Sequence, residues 1–418
     1  MAQHTLPRFD LIGWAPEDVA NPYPIYQRYR EDDAVHWSPG TAGSPGSWYV
    51  FGYDDVVSVL SSQHFGRSPR RARGGDSTPE APVPAGYDSL GRIVSNWLVF
   101  LDPPRHAELR SLINKEFSPK VVTALRARIQ DIATDLIAQQ REKPVIELVN
   151  DFAAPLPILV ISDLLGVPRD LYSWFRECAV SLQQASTARV RRCANGYARA
   201  EDAARELGGY FRREAQRRRS GDHHDLVSLL AQAQDRGEPL TDDEIMATCI
   251  HLLTAGHETT TNLLGKSVLA LLRNPPVLRE LRAHPGLMPG AVEELVRYDS
   301  PVQMVTRWAY RDEMLRGRAI HRGDKVVLVL GSANRDPHQF PNPDALCFHR
   351  GSSRHCGFGL GIHYCLGATL ARAEAEIGLT TLLDSFPTLS LTDEPAHYAD
   401  DMVFHGPTRL VLRIEEKS

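Results

Sequence analysis

A cysteine framed by glycines, in the segment FGLGIHYCLG from Phe358 to Gly367, constrains this chain more than any other feature. Gly359, Gly361 and Gly367 permit tight turns and a close backbone approach that a Cβ would block. An apolar-periodic helix is expected to follow, from about Leu366 to Asp384. Cys365 then sits at its N-terminal end, where the helix dipole favours a thiolate. A thiolate that ligates heme iron needs both properties, because it must approach a flat ring while backbone N–H groups hold its charge. The bland alternative is a Gly-rich turn that happens to carry a buried cysteine. Cys178, Cys193, Cys249, Cys347 and Cys356 form no CxxC pair and are too sparse for a zinc module or a disulfide scaffold. Most are expected to be buried small hydrophobes, Cys356 among them.

Further segments carry chemistry. A helix is expected from the capping box Thr241-Asp242-Asp243-Glu244 to Asn274-Pro275-Pro276, about 48 Å long. Within it Ala255 to Thr261 reads AGHETTT, and a glycine followed by three threonines is poor material for a merely supporting helix. Glu294 and Arg297 share a helix face and can pair. His106 and Arg110 lie one turn apart after Asp102-Pro103-Pro104.

Around these motifs, strand signals at Trp48–Phe51 precede a helix at Val56–Leu60, and Pro69–Gly91 reads as a long loop. Arg105 to about Leu272 is predominantly helical. Two β-like segments, Val302–Ala309 and Val326–Leu330, lead to a Pro-rich meander at Asp336–Pro343. One α-rich domain spanning residues 1–418 is expected. The formal charge of -5 gives no global attraction to nucleic acid or an anionic membrane. The arginine-rich stretch Arg189–Arg219 reads as a solvated helix face without a recognition motif. Met1 to Asp10 lacks a secretory pattern, and the most apolar segment, Phe152–Val167, is broken by Pro155, Pro157 and Asp163. A cytoplasmic protein without a membrane span is the expectation.

The spacing of Phe358, Gly361, Cys365 and Gly367 resembles the cytochrome P-450 family. The resemblance runs from NPYPIYQRYRE (Asn21 to Glu31) to the last strands and departs from the family only in the Arg311–Lys325 turn. It implies a mainly α fold with a minor β part, holding heme b between the long helix and the Cys365 loop. Cys365 would be the iron ligand, with Phe358, Gly359, Gly361 and Ala255 against the ring. His106, Arg110, Arg307 and His355 would face the heme propionates, four cationic donors for two carboxylates. Glu258 and Thr259 match the acid–alcohol pair that relays protons for O–O cleavage. Glu294 and Arg297 would form a buried lock completed by Arg350 or Arg335. Electrons would come from ferredoxin and ferredoxin reductase.

Longer segments, including NWLVFLDPPRHAELRSLINKEFSP (Asn96 to Pro119) and CIHLLTAGHETTTN (Cys249 to Asn262), are similar to bacterial indolocarbazole-forming members. That similarity implies a small bis-indole substrate, chromopyrrolic acid, whose indoles are joined by an aryl–aryl bond in antibiotic biosynthesis. A pathway flavoprotein acting on the product is a further implied partner. His251 shares a helix face with Ala255 and Thr259, where it could relay an indole N–H proton. Arg70, Arg71, Arg73 or Arg92 could meet the substrate carboxylates, although most of them read as solvated. The alternative is hydroxylation of another aromatic or polyketide metabolite. A heme-binding sensor without turnover would need neither Glu258 nor Thr259.

Overall fold

The long helix forms because its first turn satisfies itself. In a computed structural model, which describes residues 6–11, 13–40, 46–76, 83–185, 195–220, 225–351 and 354–415, it spans Asp242–Arg273. Thr241 Oγ1 accepts the Glu244 N–H at 3.2 Å, and Glu244 Oε2 accepts the Thr241 N–H at 2.9 Å. The same Glu244 carboxylate takes both arms of Arg105, each at 2.6 Å. That fork ties the start of the long helix to helix Arg105–Ile113, which carries His106 and Arg110.

Helices Asp88–Ser95, Pro155–Leu164, Gly196–Arg217 and Ala368–Ser385 pack around the long helix. Its apolar residues, such as Ile250, Leu253, Leu264 and Leu271, are buried all round, so it runs through the core. A five-stranded sheet lies to one side, in the order Val35–Ser38, Ser47–Val50, Lys325–Val329, Met304–Ala309 and Phe65–Gly66. The Ser47–Val50 and Lys325–Val329 strands run parallel and the other neighbours antiparallel. Register Arg307↔Val326 fixes where the buried Arg307 side chain leaves the sheet. The departing turn forms a hairpin, Glu313–Leu315 with Arg318–Ile320, in which Arg316 and Gly317 both take positive φ.

The mainly α fold with a minor β part expected from the sequence is the fold observed. Two local expectations change. The stretch read as a loop at Pro69–Gly91 opens with a short helix, Pro69–Ala72, capped by Ser68, and leads into helix Asp88–Ser95, whereas residues 77–82 lie outside the described residues. The arginine-rich stretch is not uniformly solvated. Arg218 is buried, donating to Leu165 O at 3.2 Å and Gly166 O at 2.7 Å, because the helix end turns onto those carbonyls. Residues 186–194, with Cys193 and Arg189 to Arg192, lie outside the described residues. Among the described residues, no helix is long and apolar enough to cross a membrane.

Candidate functional site

The cysteine loop is shaped by backbone demands. Gly359 and Gly361 have φ of 70° and 69°, and a Cβ on Gly361 would come within 2.5 Å of Leu60 O. Gly367 differs from expectation in its turn: its φ of -84° is open to any residue. Helix Ala368–Ser385 starts later than the periodicity suggested. The Cys365 N–H donates to Phe358 O at 2.8 Å. The Cys365 side chain is accessible yet ringed by protein, and desolvation pushes its thiol pKa up. The Gly367 N–H and the Arg110 and Arg372 charges oppose that rise. Cys356, by contrast, is fully buried, with a thiol pushed up to about 12 by burial.

Beside the loop lies a cluster short of negative charge. His106 and His363 rings meet at 4.3 Å, and each Nε2 is buried without a hydrogen-bond partner. Arg110 Nη2 donates to Tyr364 O at 2.6 Å. Arg307 Nη1 donates to Thr306 O at 2.9 Å, and Arg67 Nη1 donates to the same carbonyl. Burial lowers Arg307 to about 9, with Arg67 adding repulsion, and lowers Arg67 to about 10. Burial and then Arg110 bring His106 to about 4, and burial with four neighbouring basic groups pushes His363 far down. Asp102 supplies a countercharge, but it is engaged by the Arg67 and Ser68 N–H groups and the Tyr310 hydroxyl. Two orphan imidazole nitrogens and three guanidinium groups fit a ligand with two carboxylates.

The structure does not bring His355 into this cluster. His355 Nε2 faces Glu293 Oε2 at 3.1 Å and its Nδ1 accepts the Gly357 N–H at 3.1 Å, so both nitrogens are occupied. His363, inside the FGLGIHYCLG segment itself, stands with His106, Arg110 and Arg307 instead.

On the long helix, Ala255 is exposed in mid-helix, and His251, Gly256, Glu258 and Thr259 are partly exposed between buried neighbours. That pattern marks an internal wall. Thr259 Oγ1 donates to Ala255 O at 2.8 Å. The His251 ring stacks on Trp97 at 5.1 Å and 13°, and Trp97 lies parallel to Phe100 at 6.2 Å and 7°. Burial brings His251 to about 4, so it is neutral at pH 7. On the other side of the helix, Glu374 faces Thr260, and burial raises its carboxyl to about 8.

The lock is complete. Arg297 reaches Glu294 at 2.7 and 2.8 Å, and Arg350 Nε reaches both Glu294 oxygens at 3.1 and 3.2 Å. Arg335 pairs with Asp344 at 2.6 Å and lies over the Tyr23 and Tyr298 rings, so Arg350 is the third member. The four arginines considered for substrate carboxylates lie elsewhere. Arg70 pairs with Asp76, Arg71 and Arg73 cover the Tyr310 and Trp308 rings, and Arg92 is exposed. Arg67, Trp97, His363 and Glu374 were missed. His363 carried a signal, standing two residues before Cys365, whereas Arg67 in its loop carried none.

Comparison with known proteins agrees with this architecture. The family model described as Cytochrome P450 matches residues 190–284 and 286–412. The biotin biosynthesis cytochrome P450 of Bacillus subtilis is 37% identical over 403 residues, 96% of this chain and 98% of its own. Cytochrome P450 monooxygenase PikC of Streptomyces venezuelae is 36% identical over 395 residues, 93% of this chain and 89% of its own. The solved structure of CxnD, a cytochrome P450 for C–S bond formation in chuangxinmycin biosynthesis, superposes with a TM-score of 0.85 at 32% identity, covering 96% of each chain.

Proposed function

This chain belongs to the cytochrome P450 family, and on that premise we propose that it joins the two indoles of chromopyrrolic acid through an aryl–aryl carbon–carbon bond. Membership brings heme b, monooxygenase chemistry of the kind used in secondary metabolism, and a need for redox partners such as ferredoxin. In this reading residues 1–418 form one oxygenase domain. Cys365 would ligate the iron, and Phe358, Gly359, Gly361 and Ala255 would help hold the heme. His106, Arg110, Arg307 and His363 would hold the two carboxylates of the heme, with Arg67 adding positive charge.

When bound, the heme supplies the activation of dioxygen. The protein's residues manage protons and geometry. The Thr259 hydroxyl and the Glu258 carboxyl hold and pass the protons that O–O cleavage consumes. His251 accepts an indole N–H hydrogen bond through its neutral ring. At a pKa of about 4 it passes a proton on rather than storing it. In the coupling two aryl C–H bonds break and one C–C bond forms. Dioxygen takes two electrons from the substrate and two from the ferredoxin chain, and leaves as two waters.

The observation that carries this reading is the stack of near-parallel rings Phe100, Trp97 and His251 beside the accessible Ala255–Thr259 face. It offers stacking area to a planar aromatic substrate. CxnD, a structural neighbour named for bond formation, supports a coupling outcome. A second reading, hydroxylation of another aromatic or polyketide metabolite, draws on the similarity to the monooxygenase PikC. Titration of the ferric protein with chromopyrrolic acid separates the two. Coupling requires a saturable shift to high spin, and no shift at saturating ligand removes this substrate while leaving the oxygenase assignment.

A further inference from the structure

Two neighbouring carboxylates on helix Met288–Tyr298 serve different structures. Glu294 closes the lock on Arg297 and Arg350. Glu293 turns to the cysteine loop. It takes the Arg372 guanidinium as a fork, through Nε to Oε1 and through Nη2 to Oε2 at 3.0 Å. Arg372, on helix Ala368–Ser385, lies 4.3 Å over the Phe358 ring and donates through Nη1 to Tyr364 OH at 3.2 Å. Phe358 supplies the carbonyl that takes the Cys365 N–H, and Tyr364 directly precedes Cys365.

His355 joins this group through both ring nitrogens. The Gly357 N–H donates to His355 Nδ1 at 3.1 Å. Its Nε2 lies 3.1 Å from Glu293 Oε2. Burial raises the Glu293 carboxyl, but His355 and Arg372 outweigh it and hold it at about 2, ionised at any working pH. The fork sets one cation, Arg372, and one anion, Glu293, beside the loop.

We propose that Glu293 is a positioning residue that compensates the Arg372 cation beside the cysteine loop and so sets the reduction potential of the bound heme. The inference rests on Cys365 as the iron ligand. Reduction adds one electron to the heme, so an uncompensated cation nearby favours the ferrous form, and removing the cation favours the ferric form. The effect belongs to the pair. A charge beside the loop in partly buried surroundings moves the ferric–ferrous equilibrium roughly threefold to tenfold, tenfold being about 59 mV for one electron.

Spectroelectrochemical titration of the substrate-free holoenzyme tests this by sign. Glu293→Gln should raise the potential, Arg372→Gln should lower it, and the double variant should return close to wild type. Arg372→Lys keeps the cation and should rescue the Arg372→Gln shift. A merely structural role would move both single variants in one direction, and that result, or a wild-type potential in Glu293→Gln, overturns the proposal. If a single variant fails to load heme, Arg372→Lys and Glu293→Asp must load it and keep the wild-type potential, and failure of both is equally fatal. The ferrous carbonyl spectrum, recorded on the same samples, separates this outcome from a failed ligand assignment. A wild-type protein without the thiolate band refutes Cys365, not the charge pair.

Discussion

Replacing Glu294 with glutamine removes one buried negative charge and leaves two guanidinium groups facing it. The carboxylate is 5% exposed and accepts from Arg297 at 2.7 and 2.8 Å, from Arg350 at 3.1 and 3.2 Å and from the Cys347 N–H at 3.0 Å. Breaking a buried pair by deleting one partner costs about 3–5 kcal/mol. Unfolding entropy of about 2.1 cal/mol/K per residue gives about 0.9 kcal/mol per kelvin for a chain of this length, so the midpoint should fall by about 3–6 °C. The assay is thermal unfolding of the heme-loaded protein, followed by circular dichroism and by loss of the Soret band. Double-mutant cycles add resolution. Glu294→Gln with Arg350→Gln should show a coupling of about 0.5–3 kcal/mol, and with Arg335→Gln additivity within about 0.5 kcal/mol. Coupling to Arg335 with additivity at Arg350 would refute the lock as described.

Other consequences are sharp. Cys365→Ser should abolish the strongly red-shifted Soret band of the reduced carbonyl form, whereas Cys356→Ser should keep it, as read by difference spectroscopy. His363→Ala should weaken heme retention roughly 10- to 100-fold through loss of one charge-assisted hydrogen bond of about 1.5–3 kcal/mol. His355→Ala should change retention by less than about threefold in heme transfer to apomyoglobin, and equal losses would restore His355 to the cluster. His251, His257 and His405 are all held near 4 by burial. Between pH 6.5 and 4 the unfolded chain therefore binds protons that the fold excludes, and stability is lost as pH falls through that window. A denaturation midpoint unchanged from pH 7 to pH 5 would contradict this.

Where sequence and structure agree, the signal was local. The capping box at Thr241 and Glu244 closes within one turn, and the FGLGIHYCLG segment encodes its own turns through Gly359 and Gly361. Where they part, the missing information was direction. His355 and His363 both stand near Cys365 in sequence, and only the fold shows that one points to Glu293 and the other to His106. Arg335 and Arg350 both follow the lock helix, and the choice is made by the meander carbonyls of Pro341, Asn342 and Ala345, which hold Arg350 over Glu294. Arg218 ends a charge-rich run yet is buried, because spacing along a helix does not reveal what its last turn meets. Arg67 had no periodicity to betray it. Its place depends on the strand Met304–Ala309, which brings Thr306 O against it.

The most direct test of the proposed activity is incubation of the holoenzyme with chromopyrrolic acid, ferredoxin, its reductase and isotopically labelled dioxygen, followed by mass analysis of the products. Coupling gives a product lighter by two hydrogens at the aryl–aryl step, with the new carbon–carbon bond free of label and the label recovered in water. A product carrying labelled oxygen on an otherwise uncoupled bis-indole would contradict the coupling and favour hydroxylation.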